Sequence, residues 1–322
     1  MRSRAIALGI AFMLISVPAS ANPDRWRGEG WKTDFSRTTV EWSEILSGGP
    51  PRDGIPSIDD PRFEKASTVK GLAEREPVIR LQIGDEIRAY PLSVLTWHEI
   101  VNDEFYGQPV AITYCPLCNA SLVFDRRLDG QVLEFGTTGK LRNSDLVMYD
   151  RQTESWWQQF TGEAIAGTLT GRRLRLVPSR IVAFGEFAKA NPDAKVLVPN
   201  DRNFRDYGRN PYMGYDTAAA PFLYRGDLPD NIPAMSRVVV IRTDGQPIVV
   251  SLDMVRKSGF SKDGYEVAFQ AGVASALDTA AIAQGRDVGT VRVTKNGEDV
   301  PHDVTFAFVA HAFHPEAAII TE

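Results

Sequence analysis

Apolar and polar residues alternate in short runs along this chain, and glycine, proline or acidic turns break the runs every few residues. Val78-Ile-Arg-Leu-Gln-Ile83 alternates, Gly84-Asp85-Glu86 interrupts, and Ile87-Arg-Ala-Tyr90 returns, which predicts a β-hairpin. Pro91-Leu-Ser-Val-Leu-Thr-Trp97 predicts a short helical turn with proline at its first position. His98 to Phe105 and Pro109 to Tyr114 predict two strands around Tyr106-Gly107-Gln108. Leu122 to Phe135 predicts a second hairpin turning at Asp129-Gly130. Ser179 is expected to cap a helix over 181–190, and Lys195 to Pro199 to form a strand. Long helical periodicity is scarce. The expected fold is therefore mainly β (α+β), with two related barrel- or sandwich-like units and a few short helices.

The pattern also divides the chain. Residues 22–65 carry Trp26, Trp31, Phe35 and Trp42 without a regular period, and are expected to form an irregular arm that docks its aromatics onto the body. Residues 66–200 form a first β-rich unit. Residues 201–235, rich in tyrosine and proline, form a strap, and 236–322 a degenerate second unit. Val238 to Leu252 repeats the pattern of Val78 to Leu92 at an offset of 160. At that offset Ser258 stands for His98, and Ala271-Gly-Val-Ala-Ser-Ala276 for the segment that carries the chain's only two cysteines.

Composition narrows the setting. Arg2 and Arg4, the apolar run Ala5 to Val17 and the small residues Ala19-Ser20-Ala21 predict a secretory signal, 1–21, cleaved near Ala21. The expected location is periplasmic or secreted. No later apolar run reaches the ~20 residues of a membrane helix, so no membrane span is expected. Losing Arg2 and Arg4 would take the formal charge from −5 to −7. No long basic run exists, which makes nucleic acid a poor partner.

Chemistry concentrates at Tyr114-Cys-Pro-Leu-Cys-Asn119. A thioredoxin-type pair needs a helix after the motif to lower the first thiol's pKa. Here strand-like residues follow instead, which suits a metal knuckle between two strands. If the preceding hairpin turns at Tyr106-Gly107, facing positions sum to 213 and His98 lies opposite Cys115. His98, Cys115 and Cys118 are thus the expected ligands of one transition metal, copper favoured and zinc or iron possible. Met148 is a weaker candidate ligand, and Glu99 and Asp103 could orient His98 or move protons. Two alternatives stay open. One is a thiol–disulfide oxidoreductase in which Cys115 attacks and Cys118 resolves. The other is a non-catalytic module that grips a ligand with Trp157 and the strap, its cysteines structural. Whether the protein is an enzyme, and any small-molecule or protein redox partner, stay undetermined. His302, His311 and His314 are read as solvated or structural, and Trp156-Trp157 as core.

The chain resembles a bacterial family known as domain of unknown function 3179. Tyr90-Pro-Leu92, His98-Glu-Ile-Val-Asn-Asp103, Tyr114-Cys-Pro-Leu-Cys118, Phe124-Asp-Arg126, Gly139-Lys-Leu141, Ser144-Asp-Leu-Val-Met-Tyr-Asp150 and Thr153-Glu-Ser155 carry the resemblance. It implies a common site around His98, Cys115 and Cys118 and implies no reaction.

Overall fold

The computed structural model describes residues 22–322, so the expected signal segment 1–21 lies outside the described residues. The described residues are mainly β, with five α-helices of six or seven residues among them. Five sheets of four or five strands are arranged as a five-bladed β-propeller, and a two-stranded ribbon is added to them. This corrects the barrel-or-sandwich expectation. Among the described residues no strand exceeds eight residues, and small separate sheets that pack as blades bury such strands without a closed barrel. Among the described residues no helix is long and apolar enough to cross a membrane.

Three sheets matter for function. The cysteine sheet has the order Arg175–Val177, Ala120–Asp125, Gln108–Cys115, Ile100–Phe105. Its last two strands pair with positions summing to 213, from Ile100 opposite Thr113 to Phe105 opposite Gln108, as the sequence predicts. The aspartate sheet has the order Ile45–Ser47, Phe135–Arg142, Asp145–Asp150, Trp156–Gln158, Glu163–Ala166. The arginine sheet has the order Ser179–Ala183, Pro77–Ile83, Glu86–Pro91, Lys195–Val198, Arg62–Lys65.

The segment expected to start a helix at 181 instead pairs with Pro77–Ile83, and the helix begins at Phe184. Ile181 and Val182 are β-branched and fit a pleated, half-buried surface better than a helix. The arm is less irregular than its pattern suggests, since it supplies Ile45–Ser47 to the aspartate sheet and Arg62–Lys65 to the arginine sheet. Its aromatics close on Trp156, with ring centroids 4.8 Å from Trp26, 5.2 Å from Trp31 and 5.1 Å from Phe35. Trp156 and Trp157 are fully buried.

One order of elements occurs twice. Two strands, Pro77–Ile83 and Glu86–Pro91, lead into the helix Leu92–His98, then into a strand from Ile100. Arg237–Ile241 and Ile248–Ser251 lead into Leu252–Ser258, then into a strand from Phe260. Later, Ser179–Ala183 with the helix Phe184–Ala190 matches His302–Phe306 with Ala307–Phe313. The aspartate sheet has no such counterpart. Residues 200–235 contain only one short 3-10 turn, Tyr215–Thr217, among the described elements.

Candidate functional site

The motif occupies the turn between Gln108–Cys115 and Ala120–Asp125, with Cys115 paired to Ala120 across it. Cys118 N–H donates to Cys115 O at 3.3 Å, and Asn119 takes a left-handed φ of 51° to return the chain to the sheet. No helix follows. The turn is clamped from the far end of the sequence. Thr305 Oγ1 donates to Cys118 O at 2.7 Å, and Asn119 Nδ2 donates to Val304 O at 2.7 Å.

Cys115, Cys118 and Asp145 bring their two sulfurs and one carboxylate oxygen within 4.8 Å of one another, all buried. Among the described residues this is the only cluster of His, Cys, Asp and Glu that meets such a criterion. Asp145 opens the strand Asp145–Asp150 just after Asn143 and Ser144, both with positive φ. That tight hairpin end aims the carboxylate at the knuckle. Asp145 Oδ2 accepts from Gln158 Nε2 at 2.6 Å and from Phe160 N–H at 2.8 Å. Its Oδ1 is buried and has no partner. Cys115 Sγ lies 3.7 Å from Ser144 O.

Glu99 adds a second buried carboxyl. It closes the helix Leu92–His98 with φ 58°, and its N–H donates to Leu95 O. Burial, then the charge of Asp145, pushes its pKa up to about 8. Burial likewise lifts Asp145 to about 6, although Gln158 and Phe160 oppose the shift. Burial raises both thiols, Cys118 well above the ordinary range. The charge of Asp145 disfavours ionisation of Glu99 and of both thiols, whereas the thiols, by hydrogen bonding, favour the ionised form of Asp145.

The strap lies over the cysteine turn. Tyr215 Oη donates to Leu117 O at 3.0 Å and accepts from Phe222 N–H at 3.3 Å, while Ser144 Oγ donates to Phe222 O. Tyr212 is raised in pKa by burial and by Glu99. The buried Tyr114 hydroxyl has no partner. Beyond it, Asp216 accepts from Ser275 Oγ at 2.5 Å and pairs with Arg237 and Arg286, each at 3.1 Å.

His98 is not brought to the sulfurs. It is the last residue of its helix, so the strand starts two residues later and the register never extends to position 98. Its Nδ1–H donates to Pro56 O at 2.8 Å, and its Nε2 accepts from Tyr207 Oη at 2.7 Å. Burial lowers its pKa, which fits a neutral ring with both nitrogens engaged. Asp103 is held elsewhere too, with its Oδ2 accepting from Arg88 at 2.7 Å and from Tyr90 Oη at 2.6 Å. Met148 lies in the apolar cluster that also holds the two cysteines, with Phe135 and Trp157. His302 is buried rather than solvated. His311 lies in the last turn of Ala307–Phe313, and His314 follows that helix beside Arg242.

Asp145 is the residue that sequence patterning missed, whereas the strap tyrosines were expected only as a ligand grip. The available signal was a carboxylate just inside a strand, between an Asn-Ser turn and the apolar run Leu-Val-Met.

A family model described as "Protein of unknown function (DUF3179)" matches residues 52–317. None of the curated proteins and none of the solved structures matches the chain.

Proposed function

Because the chain belongs to the DUF3179 family, whose description assigns no activity, we propose a function from the site alone: Cys115, Cys118 and Asp145 hold one transition-metal ion. Glu99 stands outside that cluster, close enough to feel the charge of Asp145, and serves as a proton acceptor. The observation that carries this reading is the unpartnered, fully buried Oδ1 of Asp145 facing two thiols. An orphaned carboxylate oxygen in a dry pocket costs free energy, and a cation satisfies it together with both sulfurs.

The donor set favours zinc, or iron(II), over copper. Two thiolates with one carboxylate form a mixed set that suits a borderline cation. Copper would gain from an imidazole, and His98 is engaged by Pro56 and Tyr207. When bound, the ion would act as a Lewis acid or as a structural tie. The pocket's own groups set how protons leave, since binding requires deprotonated sulfurs. The motif's location inside the expected exported chain keeps the dithiol reading as the second one. Against it stand burial, with Cys115 2% and Cys118 0% exposed, and the raised thiol pKa values. Fast thiol exchange needs an accessible, acidified sulfur.

The test is metal analysis of the full chain after growth in mixed trace metals. The expected result is one ion per chain, lost in Cys115→Ser and weakened at least ~tenfold in Asp145→Asn, as for loss of a charge-assisted contact. His98→Ala should keep its metal. A metal-free chain that cycles between dithiol and disulfide at a defined potential would overturn the metal reading in favour of the redox one.

A further inference from the structure

One face of the arginine sheet changes character along its length. Val78, Val182 and Ala89 are apolar and pack in one cluster with Phe184 and Phe187 of the following helix. Farther along, Arg180 stands directly opposite Arg80 in the antiparallel register. Like charges facing each other across a strand pair are destabilising. Among the described residues neither arginine enters an ion pair. Arg80 Nη2 donates to the neutral Gln82 Oε1 at 2.7 Å. Arg180 Nε is buried without any partner.

Both guanidinium groups line a cavity of about 220 Å³ that is also walled by Ser179, Asp299 and His302. The carboxylates nearby are committed elsewhere, Asp299 to Arg292 at 2.5 Å and Glu186 to Gln270 at 2.7 Å. Burial, then the charge of Arg180, lowers the pKa of Arg80, while the charges of Asp299 and Glu186 only partly oppose the shift.

We propose that this cavity binds a small oxyanion, a phosphate group or a carboxylate, between the guanidinium groups of Arg80 and Arg180. Planar guanidinium forks match both kinds of oxyanion. The cavity draws Arg80 and Arg180 from the first half of the chain and Asp299 and His302 from the second, so a bound anion would bridge them. It is independent of the cysteine site and of what that site binds.

Calorimetric titration of the full chain with inorganic phosphate, and separately with succinate, tests this against chloride at equal ionic strength. Saturable binding of at least one probe is expected, weakened at least ~tenfold in Arg80→Gln and in Arg180→Gln, the scale of a lost charge-assisted bond. In low-salt buffer free of both probes, Arg180→Gln should melt above the wild type, because it removes one of two facing charges. Absence of saturable binding by either probe, binding that survives both substitutions, or an Arg180→Gln melt below the wild type would each overturn the proposal.

Discussion

Glu99 and Asp145 share one buried space, and neither can release its proton without setting a charge against the other. In the metal-free chain the folded pKa of Glu99 is about 8 against an ordinary 4.5, and that of Asp145 about 6 against 3.8. The native state therefore keeps protons that the unfolded chain has already released. Stability falls as pH rises through this window, from 3.8, where Asp145 begins to contribute, to about 8. Thermal melts of chelator-treated protein should decline steadily across it, and Glu99→Gln should remove most of the slope. Metal should reverse the trend, since it binds the deprotonated groups. At this scale the sequence drew attention to Cys115, Cys118 and Glu99, because the motif and its hairpin are local, although it set Glu99 beside His98 and not beside Asp145. It misplaced His98 by one structural boundary, since nothing in the strand register shows that the helix keeps that residue. Asp145 was illegible as a member of the cysteine cluster because it arrives on a different sheet, 27 residues after Cys118.

Among the elements, the ends of the two matching helices differ in one respect. Gly259 follows Leu252–Ser258 with φ 66°, while Glu99 follows Leu92–His98 with φ 58°. Glycine takes a positive φ without strain, whereas a glutamate there stores of order 1–3 kcal/mol. Glu99→Gly should therefore stabilise the metal-free chain by about 1 kcal/mol in urea unfolding while weakening metal retention. The strap offers a separate handle. Tyr215→Phe removes the bond to Leu117 O, at a cost of about 0.5–1.5 kcal/mol, and should speed metal release to a chelator in stopped-flow measurements. The arm should behave as part of the body. Trp26→Ala would open the aromatic cluster around Trp156 and cost about 3–5 kcal/mol in the same unfolding assay.

For the whole molecule, the alternating pattern made the β-rich class legible, and hairpins such as Ile79 opposite Tyr90 followed from local turn chemistry. The blade arrangement was not legible, because it depends on which sheet faces pack together, and each short run is compatible with a sandwich or a blade. Contacts between distant segments govern integrity. A chain ending at 235 loses the strand His302–Phe306 that clamps the knuckle. It should show neither a cooperative melt nor retained metal by elemental analysis.

That clamp also sets a timetable. Thr305 reaches Cys118 O across 187 residues of chain. At ~5–20 residues per second, synthesis leaves the sulfurs without their cover for on the order of ten seconds or more. During that interval no burial holds the thiols protonated or keeps oxidants away. The nascent chain is therefore most open to disulfide formation or to a stray ion before its last strand arrives.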